Sequence, residues 1–292
     1  MKTWKIKPKD PKVSQFIQCY WFLEKELGDI SNNYPKLNPD PTATFVIAPT
    51  QQSYSYKNKR MTFDGQGCHW IFPNSQTMQL DHSQPFSIIG IKFHIGALYS
   101  LNVALESSML KSLEDENAIK RPIIDYVSQV DCKTFIGETG NQTELLSLAK
   151  TNPEECASKL DKILYQRLQY CEQDKQSQLT HQAAELLSTT AVQQMGKMLN
   201  CSQRTIERNF SLVTGFTLKQ CQSMNRFEAI LNRLHKIEAQ DVNWLDIVAE
   251  FGFSDQPHLI RYLKSFVGQT PSEYIKQRDI TIDIYGNFEP LD

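Results

Sequence analysis

Two short stretches carry side chains suited to reading the edges of nucleic-acid bases. Ser202, Gln203, Arg204, Glu207 and Arg208 form one; Ser254, Asp255, Gln256, His258, Arg261 and Lys264 form the other. An arginine can bond guanine O6 and N7 together, a glutamine can bond adenine N6 and N7, and a glutamate can accept from the cytosine amine. A lysine is a point charge without a fork and suits phosphate better than base. Plainer readings stand beside these. Arg204 and Arg208 can be a solvated basic face, Glu207 can pair with either arginine, and His258 can belong to a helix cap. Pro257 removes a backbone donor, which a first helical turn tolerates, and direct base contact is not expected there.

Such side chains need a rigid element to present them, and the spacing of apolar residues supplies one twice. An offset of 53 residues aligns Ile206 with Leu259, Arg208 with Arg261, Phe210 with Leu263, Val213 with Phe266, Gly215 with Gly268 and Thr217 with Thr270. An ordered match of apolar, basic, glycine and threonine positions marks a repeated supersecondary unit. In the first copy Val192, Met195 and Met198 predict a short helix. Ser202 is a good N-cap, and Ile206, Phe210 and Val213 form the buried face of a second helix ending at Gly215. In the second copy Ile247, Val248 and Phe251 predict the first helix, Gly252-Phe253 the turn, and Ser254 or Asp255 the cap. Leu259, Leu263 and Phe266 are then buried, and Gly268 closes the unit. This is the helix-turn-helix layout, whose second helix enters a major groove. A predicted helix over 218–236, striped by Met224, Phe227, Leu231 and Leu234, separates the copies. It would set two reading helices about 34 Å apart, one turn of the duplex.

The run IVAEFGFSDQPHL at 247–259, continued by FVGQTPSEY at 266–274, resembles the second helix-turn-helix and following signature of AraC/XylS-type transcriptional regulators. The resemblance covers roughly residues 179–278. By it, Arg204 and Arg208 occupy base-reading or phosphate positions, and the other polar residues named above are further candidate DNA contacts. A shorter likeness, through CYW at 19–21 and GIKFHIGA at 90–97, links the N-terminal half to the cupin-like sensor domains of a subgroup of that family.

Composition agrees with a two-part chain. The 292 residues are 40% hydrophobic and 22% charged, with net charge −2. Residues 192–278 hold 11 Lys+Arg against 8 Asp+Glu, a charge of +3 that leaves −5 elsewhere. A mildly basic module on an acidic body fits a DNA reader joined to a domain with another task. The seven cysteines form no C-x-x-C pair and no metal-like spacing, and no cluster of the kind a methyl-accepting regulator needs. Reduced thiols in a cytoplasmic protein are expected, with neither a secretory leader nor a membrane span.

The expected fold class is α+β, with an N-terminal β-rich cupin-like barrel or sandwich and an all-α C-terminal domain bearing two helix-turn-helix motifs. The domains are residues 1–150 (regulatory), 151–178 (amphipathic helix and linker), 179–278 (DNA-binding) and 279–292 (tail). In the first, 16–23 reads as a helix leading into a strand, 44–47 as a strand and 52–56 as its hairpin partner. Gly65-Gln66-Gly67 reads as a turn before strand 68–72, followed by strands at 77–81 and 86–93 and a helix through Leu101. Beyond it, 107–116 reads as polar helix or loop, 122–130 as a short helix, 131–141 as loop, 153–172 as an amphipathic helix packing within the chain, and 174–178 as the linker. The alternation of Ile280, Ile282 and Ile284 suggests a strand in the tail.

The resulting expectation is a sequence-specific, double-stranded-DNA-binding transcription regulator, an activator rather than a repressor. A small molecule or a partner at the N-terminal domain would control it. RNA polymerase and a second copy of the chain are further candidate partners. Tyr20, Trp21, Phe45, Trp70, Phe72 and Phe93 are candidate pocket residues, with ordinary core as the alternative. No cofactor is called for. A competing reading makes residues 1–150 a ligand-free dimerisation or protein-interaction module. A cupin-type metalloenzyme built on His69, His82 and His94 is disfavoured, because no His-x-His pair or suitably spaced Glu accompanies them. Nucleophile-elbow, P-loop and dinucleotide motifs are missing too, so no enzymatic role is expected.

Overall fold

The computed structural model describes residues 1–101, 122–137, 140–187, 189–237, 241–267 and 270–271. The readings at 107–116, at Gly268, at 272–274 and in the tail lie outside the described residues.

Among the described residues, ten strands form two antiparallel sheets. Strands β1 (Lys2–Ile6), β2 (Ile17–Lys25), β4 (Thr44–Ile47), β7 (His69–Ile71), β9 (Phe86–Phe93) and β10 (Val127–Gln129) make a six-stranded sheet in the order β1-β2-β9-β4-β7-β10. Strands β3 (Lys36–Leu37), β5 (Ser53–Lys57), β6 (Thr62–Gln66) and β8 (Met78–Leu80) make a four-stranded sheet in the order β3-β8-β5-β6. The larger sheet is covered on both faces, which is why β9 reads as an almost unbroken apolar run. Successive residues of a strand point to opposite faces. Cys19, Trp21 and Leu23 accordingly meet Tyr56, Met78 and Leu80 of the smaller sheet. Tyr20 and Phe22 face a layer of helices instead.

After α1 (Ala97–Leu101), that layer is formed by α2 (Cys132–Ile136), α3 (Gln142–Thr151) and α4 (Pro153–Leu168). Helix α4 starts with Pro at its first turn and with Asn152 as N-cap, whose side chain accepts from the Glu155 amide. Its stripe of Cys156, Leu160, Ile163, Leu164 and Leu168 packs on the sheet, so this amphipathic helix does cover its own domain. Buried Asp161 ties it down by accepting from Tyr20 Oη at 2.7 Å and from the Lys9 and Asp10 amides at 2.9 and 3.1 Å.

Several expectations are corrected. Residues 13–15 form a single 3-10 turn and Ile17 already begins a strand, so no α-helix precedes it. Strand β5 pairs with β6 and β8, not with β4. Gly65 and Gln66 belong to β6, and the left-handed turn residue is Gly67, at φ +71°. The predicted helix at 122–130 contains β10, which completes the sheet edge against β7. The predicted loop at 131–141 contains α2, capped by Asp131 through the Lys133 amide. The polar stretch at 174–178 is no slack linker: Asp174 caps α5 (Lys175–Leu186) by accepting from the amides of Gln176 and Ser177.

Candidate nucleic-acid interface

Helices α6 (Val192–Met198) and α7 (Gln203–Thr214) form the first two-helix unit; α9 (Trp244–Glu250) and α10 (Gln256–Val267) form the second. Ser202 caps α7 by accepting from the Thr205 amide at 3.1 Å, and Gly215 ends it at φ +77°. In the second unit Gly252 takes the left-handed turn at φ +64°, and Asp255 Oδ1 accepts from the His258 amide at 2.6 Å. Equivalent apolar positions behave alike. Ile206, Phe210, Leu259 and Leu263 are all buried.

One continuous helix, α8 (Leu218–His235), holds both units. Thr217 and Gln220 form a reciprocal capping box at its start. Leu218, Cys221 and Met224 pack with α7 in one core; Phe227, Ile230, Leu231 and Leu234 pack with α9 and α10 in another. Phe227 stacks on Phe266 with centroids 4.5 Å apart. The Arg226 guanidinium lies 3.8 Å from the Phe253 ring centroid and also donates to the Phe251 carbonyl. Arg233 Nε meets Glu250 at 2.9 Å.

The predicted reading residues lie where the repeat implies. Gln203, Arg204, Glu207 and Arg208 are exposed on α7; His258, Arg261 and Lys264 are exposed on α10, where Gln256 is half-buried. Among the described residues, no ion pair engages Arg204, Arg208, Arg261 or Lys264. Glu207 accepts from Gln203 Nε2 at 2.8 Å and is not paired with an arginine. Ser202 and Asp255 are occupied as caps, and Ser254 Oγ lies 3.1 Å from His258 Nδ1. The arrangement therefore leaves two arginines on α7, and one arginine and one lysine on α10, facing outward from rigid helices.

The candidate pocket residues do not all meet. Tyr20, Phe45, Trp70, Phe72 and Phe93 share the core between sheet and helices, whereas Trp21 sits in the core between the two sheets. Phe135 of α2 fills the first group, with centroids 4.5, 5.1 and 5.8 Å from Phe45, Trp70 and Phe93. A different, more polar cavity of about 50 Å³ opens by the smaller sheet, bordered by Gln52, Tyr54, Tyr56, His69 and His82. His69 Nδ1 donates to the Gly67 carbonyl at 2.8 Å, leaving Nε2 to accept from Tyr56 Oη at 2.9 Å. Burial depresses the imidazole pKa values to about 4 for His69 and about 3 for His82. Sequence reasoning missed this site because its polar residues come from four separate strands and loops. His94 lies elsewhere, its ring centroid 4.9 Å from that of His181. Among the described residues no group of three His, Cys, Asp or Glu side chains converges as a metal site would require, and no helix is long and apolar enough to cross a membrane.

The two parts touch directly. Ile95 and Ile124 pack into the α5–α8 core, Tyr99 Oη donates to Gln176 at 2.9 Å, Ser100 Oγ donates to Asp174 at 3.0 Å, and Thr77 Oγ1 donates to the Phe266 carbonyl.

Comparison with known families gives two matches: a helix-turn-helix domain over residues 195–277 and a domain of unknown function (DUF6597) over residues 5–110. No curated protein matches the chain. Among solved structures, ToxT from Vibrio cholerae O395 aligns with a TM-score of 0.44 at 8% identity, over 88% of this chain and 97% of that one. Unsaturated-fatty-acid-bound wild-type ToxT from V. cholerae strain SCE256 gives 0.40 at 14% identity, over 88% and 95%. The AraC-like transcriptional activator CuxR gives 0.25 at 9% identity, over 78% and 86%. Residues 195–277 match a helix-turn-helix domain family, and they follow an N-terminal β-rich domain.

Proposed function

We propose that the chain is a sequence-specific DNA-binding transcription regulator, an activator, whose N-terminal domain takes a small polar effector. The observation that carries this reading is the pair of capped helices α7 and α10, each with outward basic residues and both anchored on α8. Arg208 and Arg261 read base edges, with Gln256 at the start of the same helix as the latter, while Arg204 and Lys264 contact phosphate or a flanking base. This reading places the effector at the polar concavity of about 50 Å³ by Tyr54, Tyr56 and His69, which must widen to admit more than a few atoms. RNA polymerase and a second copy of the chain are the protein partners this reading implies.

DNA selection with the purified chain, alongside Arg208→Ala and Arg261→Ala, tests it. A motif with two elements about one turn apart is expected, each variant losing discrimination at a different element by about 1–3 kcal/mol per lost pair. Binding that stays sequence-independent and equally salt-sensitive in all three proteins would sink the reading.

A further inference from the structure

Folding brings together two cysteines that lie 64 positions apart in the sequence. Cys68 lies between β6 and β7, and Cys132 is the first residue of α2. Both border one open cleft of about 520 Å³, together with Thr50, Gln129 and Gln142. Their approach is built by the backbone. Val130, two residues before Cys132, donates its amide to the Cys68 carbonyl at 3.0 Å, and Asp131 caps the helix that Cys132 begins. Both thiols are buried, and Cys68 Sγ also lies 3.8 Å from the Ala48 carbonyl. The mutual influence of the pair draws the Cys68 pKa below the ordinary thiol value and, with burial, pushes that of Cys132 up. Burial instead raises the thiol pKa at Cys19, Cys221 and Cys156, to about 12 in the last case.

We propose that Cys68 and Cys132 are an oxidisable dithiol, with Cys68 the nucleophile toward a hydroperoxide and Cys132 the resolving thiol. The Cys68 thiolate attacks the terminal peroxide oxygen. An S–O bond forms, the O–O bond breaks, and the departing hydroxide takes a proton to become water. Cys132, giving its proton to solvent, then attacks the Cys68 sulfur; the S–S bond forms, the S–O bond breaks, and a second water leaves. Two thiols are oxidised by two electrons and hydrogen peroxide is reduced to two waters. The thiolate is the attacking species, so the sulfur whose charge is supported by a donor reacts first. Position gives the pair a readout. Cys132 begins the helix whose Phe135 plugs the aromatic core and stacks under Arg167 of α4, centroid to guanidinium 5.5 Å. A bond that redraws the start of α2 acts on that plug.

The test treats the reduced full-length chain with hydrogen peroxide, caps remaining thiols with N-ethylmaleimide, and maps peptides by mass spectrometry without reductant. The expected product is a peptide pair joined through Cys68 and Cys132, two hydrogens lighter and reversed by dithiothreitol. In Cys132→Ser, Cys68 should stop at the sulfenic acid and be trapped by dimedone. In Cys68→Ser, Cys132 has no partner to resolve and should emerge from peroxide as the maleimide adduct, with no disulfide-linked peptide. Circular dichroism checks that both variants fold, and the wild-type map stands without them. The proposal is overturned if both cysteines emerge as maleimide adducts after peroxide, if other pairings form in equal yield, or if the urea-unfolded chain forms the same link as fast.

Discussion

Gly90 shows how a single residue can decide a core. It stands opposite Trp21 across β2 and β9, and a Cβ there would lie 1.9 Å from the indole. No smaller adjustment than moving the indole can make room, and the indole is fully buried between the sheets. Gly90→Ala should destabilise the β-rich domain by about 1–3 kcal/mol, the usual cost of overpacking. Urea denaturation followed by Trp fluorescence measures it, and an unchanged midpoint would refute this account. The sequence displays Gly90 inside the most apolar strand but not its partner, since register across strands is a tertiary fact. His69 carries the second prediction at this scale. Its folded pKa is about 4 and that of His82 about 3, both below the ordinary imidazole value. The unfolded chain therefore takes up protons first, so the stability from keeping these rings neutral is complete above about pH 6.5. It is lost as pH falls toward those folded values, at up to about 1.4 kcal/mol per pH unit for each ring. Urea midpoints at successive pH values between neutral and mildly acid should show that slope. His69→Gln should flatten part of it, and an identical slope in the variant would remove His69 from the explanation.

Elements were legible where a local rule decides them. Apolar stripes place α4, α6, α7, α8, α9 and α10, and Asn152, Ser202, Thr217, Asn243 and Asp255 close the first turns of all of these but α6 with their own side chains. Pairing was not legible. The segment at 122–130 carries an apolar run that suits a helix, yet β7 offers it an edge and β10 forms instead. At 131–141 two glycines suggest a loop, but burial of Phe135 and Ile136 is enough to fix a short helix. Arg226 belongs to this scale as well. On sequence it is one more basic residue on a DNA-binding module, whereas in the fold it faces Phe253 and Tyr262 and bonds the Phe251 carbonyl. Arg226→Lys keeps the charge and loses the planar stack and fork. The expected result is faster amide exchange in α9 and α10, by a stability loss of about 1–2 kcal/mol, with α7 unaffected. If Lys preserves that protection, the charge alone matters and the clamp assigned to Arg226 is wrong.

Across the whole molecule, the question is how the proposed effector site by the smaller sheet would act on α7 and α10. The contacts between the parts are specific and few in kind. Lys92, wholly buried in β9, pairs with Asp40 at 2.5 Å. Burial opposes its charge, but Asp40 and Glu228 of α8 outweigh that and hold its pKa above the ordinary lysine value. Glu228 acts on Lys5 of β1 also, so the helix that sets the spacing of the two units is electrostatically tied to the large sheet. The apolar counterpart is Ile124, just ahead of β10, which enters the core made by α5 to α8 and would sit 3.0 Å from a Cβ at Gly215. Coupling requires that an effector stabilise one arrangement of this seam over another, since equal affinity for both would shift nothing. A change at the seam must therefore alter the reading domain while sparing the sheets. Ile124→Ala removes apolar contact at a partly buried site and should cost about 1–3 kcal/mol. The loss should fall on one side: amide exchange in α5 and α7 should accelerate, and that in β2, β4 and β9 should stay as in the parent chain. Equal acceleration in both parts would mean that they unfold as one unit, and communication through a distinct seam would have to be abandoned. Selective acceleration with unchanged DNA affinity would confine Ile124 to holding the fold, and the polar tie at Lys92, Asp40 and Glu228 would become the route to test.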